Sequence, residues 1–147
     1  MKIPFKYKNI HSCEAVVLTC IDFRFWRETM ELIEKELGIK NFDFPSLPGG
    51  VKAINEYLSD GDLAMKCIGV PCDLHHVKKI VLVNHEDCGA YGGSAKFSDS
   101  EAEMEFHTGE LKKAKEKILS KYPGREVILI YAKLADSGGN IELLTIS

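Results

Sequence analysis

The apolar positions fall into two kinds of run. Ala15-Val16-Val17-Leu18-Thr19, Ile80-Val81-Leu82-Val83 and Val127 to Tyr131 are short, continuous and rich in branched residues. Such runs read as strands buried on both faces. Between them the period changes. Trp26, Met30, Ile33 and Leu37 recur at helical spacing, with Gly38 as terminator. Met104, His107, Leu111, Ala114 and Ile118 form the stripe of a long helix from Ser100 to Lys121, stopped at Tyr122-Pro123-Gly124. Val51 to Leu58 and Asp62 to Ile68 read as shorter helices, the first broken by Ser59-Asp60-Gly61 and the second by Gly69-Val70-Pro71. Asn41 to Phe44 reads as a second short strand. It runs into Pro45 to Gly50, a loop with two prolines and two glycines. Ser137 to Asn140 turns the chain into Ile141 to Ile146, an edge strand.

Strands alternating with helices predict an α/β fold: a mostly parallel central sheet with an antiparallel edge strand, flanked by helices. Neither repeat nor linker interrupts the 147 residues, so a single domain over 1–147 is expected. In such sheets ligands gather beyond the carboxyl ends of the strands.

Charge and cysteine content narrow the function. The net charge of -3 argues against a general nucleic-acid binder. The lysines at 112, 113, 115 and 117 alternate with Glu110 and Glu116, as on a solvated helix face. No apolar run has the length of a membrane span, and Met1 to Lys6 has no signal-peptide core, so a cytoplasmic address and no membrane partner are expected. Five cysteines, an odd number, sit at 13, 20, 67, 72 and 88. In a reducing compartment they read as free, buried or metal-binding thiols.

Two motifs stand at strand ends. Cys20-Ile21-Asp22-Phe23-Arg24 follows the first strand. If strand geometry persists, a thiol, a carboxylate and a guanidinium project to one side. His85-Glu86-Asp87-Cys88-Gly89 follows the central strand, with Gly89 expected to let the backbone bend. Two sulfurs and one imidazole suit a zinc ion (Zn2+), and three protein ligands leave a fourth place open, as in catalytic sites. Asp22 is the nearby group that could fill it, and Arg24 could grip that carboxylate and keep it off the metal.

C-x-D-x-R followed some sixty residues later by H-x-x-C-G resembles the signature of the beta-carbonic anhydrases. The likeness extends over Val16 to Arg24, Lys79 to Ala90 and Val127 to Leu144. It implies a beta-carbonic anhydrase-like sheet and a homodimer or higher homo-oligomer with its site at the subunit interface. By resemblance Cys20, His85 and Cys88 hold zinc, Asp22 and Arg24 form the catalytic pair, and zinc-bound hydroxide converts carbon dioxide to bicarbonate. The resemblance also implies a switched-off arrangement with Asp22 on the metal. One stretch departs from the family. Where it carries Arg-Asn-Ala-Gly-Asn, this chain has Ser46-Leu47-Pro48-Gly49-Gly50, and only Gly49 agrees. Carbonyl sulfide or carbon disulfide hydrolysis on the same scaffold, or a non-catalytic zinc-binding homologue, are the alternatives this leaves.

Other chemistry-bearing residues have plainer readings. Asp87 is either an acceptor behind the metal site or a helix cap. His75-His76 reads as an exposed turn without a matched metal partner, and His107 as a partly buried packing residue. Cys13, Cys67 and Cys72 read as small hydrophobes. Gly92-Gly93 lacks the Lys-Ser/Thr of a phosphate loop. A Cys20–Cys88 redox pair is the last alternative, with no C-x-x-C to support it.

Overall fold

The computed structural model describes residues 3, 4, 6, 9–59, 62–135 and 139–147. Parts of two expected breaks, Asp60-Gly61 and Ser137-Gly138, lie outside them.

The strands are β1 (Ala15–Cys20), β2 (Phe42–Asp43), β3 (Ser46–Leu47), β4 (Lys79–His85), β5 (Glu126–Ala135) and β6 (Asn140–Ile146). The helices are α1 (Trp26–Glu31), α2 (Lys52–Asn55), α3 (Leu63–Leu74) and α4 (Ser100–Lys121). They build the expected mostly parallel sheet in the order β2-β1-β4-β5-β6, with β3 also on β1. β1 pairs in parallel with β2, β3 and β4, and β4 with β5. β6 returns antiparallel along β5, from Leu129↔Ile146 to Ala135↔Asn140.

The continuous apolar runs are explained by two cores. Because alternate residues of a strand face opposite sides, Val16, Leu18, Ile80 and Leu82 pack with Ile54, Ile68, Leu111 and Ile118. Ala15, Val17, Val81 and Val83 pack on the other face with Ile33 and Ile39. Leu18, Leu82 and Leu111 are fully buried, and each such side chain contributes about 1.5–3 kcal/mol relative to exposure.

Four expectations change. The loop at 45–50 contains β3, in register Thr19↔Ser46 and Cys20↔Leu47. Ser46 and Leu47 keep the amide groups that the flanking prolines lack, so the chain can pair once more beyond the end of β2. Helix α3 runs through Gly69-Val70-Pro71 to Leu74. Ile68 and Cys72 are buried on either side of Pro71, and that packing outweighs the roughly 3 kcal/mol proline penalty. Gly69 serves there as a gap, since a Cβ would lie 2.7 Å from the Tyr122 hydroxyl.

The α1 stripe is turned by one residue. Phe25, Thr29 and Ile33 are buried while Trp26 is exposed. The helix widens over Leu32–Glu36 and ends at Gly38, φ 66°. There the Ile39 amide donates to the Ile33 carbonyl at 3.0 Å, a left-handed cap of the expected kind. The second helix expected, Val51 to Leu58, is shorter, Lys52–Asn55.

Candidate metal centre

β1 and β4 lie side by side and parallel, so their carboxyl ends open on the same edge of the sheet. Cys20 is the last residue of β1 and His85 the last of β4. Cys88 follows within a tight loop. One donor atom from each lies within 4.8 Å of the others, and the three residues are 8%, 2% and 3% exposed. The Cys20 and Cys88 sulfurs are 4.0 Å apart. Two sulfurs on one tetrahedral zinc would be separated by about 3.8 Å, given Zn–S near 2.3 Å.

The imidazole is set for one role. His85 Nδ1 donates to the Glu86 carbonyl at 2.7 Å, and Phe25 stacks on the ring at 4.3 Å. That leaves Nε2 buried with no hydrogen-bond partner, a costly condition that a coordinated cation relieves. The thiols carry the complementary signal. A hydrogen bond from Cys88 pulls the Cys20 thiol well below its ordinary range, whereas Cys20 and burial push Cys88 up. One thiolate is favoured here and two are not, unless a cation lies between them. The donor set therefore fits a zinc-type ion.

Asp22 and Arg24 reach this centre by a different backbone from the one expected. The strand stops at Cys20, and residues 23–25 form a turn, with the Phe25 amide donating to the Asp22 carbonyl at 3.4 Å. The reversal lets the Arg24 amide donate to Asp22 Oδ1 at 2.9 Å, while its Nε and Nη2 donate to the same carboxylate at 2.7–3.1 Å. Asp22 Oδ2 also stands 3.9 Å from His85 Nε2. The Arg24 hydrogen bonds hold the Asp22 carboxyl below the usual carboxylate range.

The sequence reading missed what anchors Arg24. Its Nη1 donates to Asp87 Oδ2 and its Nη2 to the Asp87 carbonyl, each at 3.0 Å. The left-handed bend of this loop falls on Asp87, φ 55°, and on Gly92 and Gly93; Gly89 stays at negative φ. The loop thus curls back, and Asp87 Oδ1 accepts from the Ser94 amide at 3.1 Å. Asp87 is thus an acceptor behind the candidate donors, and its carboxylate also takes the first amide of the short helical turn Ser94–Lys96. Beneath it lies Glu103, 1% exposed, accepting from the Asp87 amide at 2.7 Å and the Ser94 hydroxyl at 2.6 Å. Glu103 takes the buried place on α4 where the apolar pattern put Met104. Nothing in the hydrophobic pattern could have marked a carboxylate for burial. Only the orphan donors of the facing loop explain it.

Behind His85, His107 is fully buried, beyond the partial burial expected. Its Nδ1 accepts from Asn84 Nδ2 at 3.1 Å, and burial lowers its pKa to about 4. Asn84 Oδ1 in turn accepts from the Val51 amide at 3.4 Å. The divergent loop still braces the centre, since the Ser46 hydroxyl donates to the Cys20 carbonyl at 3.2 Å.

A family model described as "Putative carbonic anhydrase" matches residues 10–142. The chain belongs to this carbonic anhydrase family. An uncharacterized protein of Rickettsia bellii is 36% identical over 141 residues, covering 92% of this chain and 84% of the relative. Another, from Rickettsia conorii, is 34% identical over 126 residues, covering 82% and 67%. Among solved structures, the Aspergillus fumigatus beta-carbonic anhydrase CafA superposes with TM-score 0.59 at 16% identity, covering 92% of this chain and 76% of that one. Beta-carbonic anhydrase isoform I of Trichomonas vaginalis gives 0.55 at 15% identity, covering 97% and 88%. A tetrameric beta-carbonic anhydrase of Sordaria macrospora gives 0.53 at 16% identity, covering 93% and 84%. The fold of this family member is thus the one the motifs implied. No helix among its described residues is long and apolar enough to cross a membrane.

Elsewhere, His76 is exposed as expected, but His75 has a partner: its Nδ1 lies 2.6 Å from Asp43 Oδ2. Cys13 donates to the same oxygen at 3.4 Å, so it is more than a small hydrophobe. Cys72 is buried in the core, and all five cysteines are free thiols.

Proposed function

We propose that the chain is a zinc-dependent carbonic anhydrase, a lyase interconverting carbon dioxide and bicarbonate, with Cys20, His85 and Cys88 as metal ligands. The observation that carries this reading is the unpartnered buried His85 Nε2 facing two converged thiols. A zinc ion held there supplies the Lewis acidity that makes water a nucleophile near neutral pH. The chain's own residues do the rest. Asp22 stays ionised across the neutral range and offers a hydrogen-bond acceptor beside His85. It can hold the proton of the reacting water and so aim a lone pair at the carbon of carbon dioxide. Arg24 takes both Asp22 oxygens and is pinned by Asp87, which favours a carboxylate occupied by Arg24 over the switched-off arrangement. Zinc-loaded protein should release protons from dissolved carbon dioxide in stopped-flow mixing at mildly alkaline pH. Absence of acceleration there overturns the assignment.

One observation favours a second substrate class. Leu47, beside Cys20 in register, stands in a loop that lacks the family's polar side chains. An apolar wall suits carbonyl sulfide or carbon disulfide, and sulfide release from those gases is the discriminating assay. The reading also includes a homodimer or higher oligomer. Ile21 and Phe23, on either side of Asp22, are 58% and 83% exposed, and a second copy would cover them. Light scattering tests this, with Phe23→Glu expected to yield monomers.

A further inference from the structure

A second constellation of metal-binding side chains lies at the other end of β1. Cys13 Sγ, an Asp43 carboxylate oxygen and a His75 ring nitrogen all lie within 4.8 Å of one another. They come from three separate stretches: the strap before β1, the short strand β2, and the residue capping α3. Their backbones are tied together, since the Cys13 amide donates to the His75 carbonyl at 3.1 Å and β1 pairs with β2. Cys20 lies seven steps of nearly extended chain beyond Cys13, so the two clusters are on the order of 20 Å apart.

We propose that Cys13, Asp43 and His75 form a second binding site for a zinc-type divalent ion, one that pins the edge strand β2 and the end of α3 to the start of β1. The chemistry of the donors selects the ion. A thiol and an imidazole favour zinc-class metals over magnesium or calcium. Metal–sulfur distances near 2.3 Å and metal–oxygen or –nitrogen distances near 2.0 Å set tetrahedral edges of about 3.5 Å for S···O and about 3.3 Å for N···O. The S···O separation is already 3.4 Å. The N···O separation is 2.6 Å and must open by about 0.7 Å to reach that edge. The His75 and Asp43 side chains are 39% and 32% exposed and have room to do so. An entry path exists, because the cluster lines a surface cleft of about 540 Å³. His11, two residues before Cys13, borders the same cleft. The ion would displace the protons that now join the three side chains.

The test is metal counting with separate knockouts. Protein equilibrated with zinc sulfate and passed through a desalting column should hold two zinc ions per chain by elemental analysis. Cys13→Ser and His75→Ala should each hold one, and so should Cys20→Ser. Cobalt substitution of a Cys20→Ser/Cys88→Ser variant should still give a thiolate-to-cobalt absorption band, and adding Cys13→Ser should abolish it. If the native chain holds one ion that survives Cys13→Ser, the second site is refuted and the three residues are a hydrogen-bonded clasp. If the only ion is lost with Cys13→Ser and survives Cys20→Ser, the second site stands while the carboxyl-end centre falls. Should the double variant fail to fold, the native versus Cys13→Ser count decides alone.

Discussion

The two ends of β1 carry similar donor types in opposite physical states. At the carboxyl end, Cys20, His85 and Cys88 are each less than a tenth exposed, and His85 Nε2 is left without a partner. At the amino end, Cys13, Asp43 and His75 are half-exposed and satisfy one another by hydrogen bonds. The first arrangement is costly without a cation, because burial leaves His85 Nε2 nothing else to bind. The second is comfortable without one and open to one. Burial and bracing by buried side chains separate them. Phe25 stacks on His85, and the buried Glu103 holds the loop that carries Asp87, whereas the amino-end cluster is tied mainly through backbone hydrogen bonds.

That contrast can be tested at several strengths. The largest effect is expected for Cys20→Ser or Cys88→Ser, which should remove the carboxyl-end ion and lower carbon dioxide hydration by at least 10³-fold, roughly the scale of removing an essential group. Stopped-flow rates with metal analysis read this directly, and unchanged turnover would break the comparison. Arg24→Ala should cost about 10–100-fold in kcat/KM, the usual range for residues that orient a metal site. It should also alter the acid limb of stability. Asp22 and Asp87 have depressed pKa values in the fold, so their stabilisation is complete above the unfolded value near 3.9 and is lost as pH falls below it. Urea melts of Arg24→Ala at acid pH should show a shallower loss than the native chain.

Glu103→Ala leaves the Asp87 amide and Ser94 hydroxyl without their acceptor. It should destabilise by about 3 kcal/mol in urea titration. His107 sharpens the same end by pH. With a folded pKa near 4 against about 6.5 unfolded, the unfolded chain binds the extra proton first. Stability should therefore fall as pH drops from about 6.5 to about 4. In metal-free protein His107→Gln should lose most of that slope. The smallest effect belongs to the amino end: His75→Ala in metal-free protein should cost at most ~1 kcal/mol, as expected for a partly exposed pair. A larger loss would mean that the two ends are more alike in bracing than their exposure indicates.

Much of this architecture was legible in the sequence. Runs such as Val16–Leu18 and Ile80–Val83 identify buried strands because an uninterrupted apolar stretch must have both faces covered. The two motifs mark Cys20, His85 and Cys88 as candidate donors because sulfur and imidazole at strand ends have few other uses, and the fold brings the three together. Other features could not be read locally. The phase of α1 depends on which side chains the sheet can accept, and it chose Phe25 over Trp26. Helix α3 continues past Pro71 because residues on either side find a core, which propensity alone does not see. Glu103 carries no pattern at all, and the partners of Asp87 could not be named, because both roles arise from donors brought near them by a loop that folds back.

The sequence by itself determined the order of strands and helices, the candidate donors at the carboxyl ends, and the Asp22–Arg24 pair. Those follow from side-chain chemistry and from periodicity, which act over a few residues. Tertiary structure alone decided that Arg24 is held by Asp87, that a carboxylate lies buried beneath them, and that Cys13 meets Asp43 and His75. Each of those depends on parallel pairing that brings stretches tens of residues apart to one edge of the sheet. Pairing over such distances is chosen by the energy of the whole core and cannot be read from any single segment.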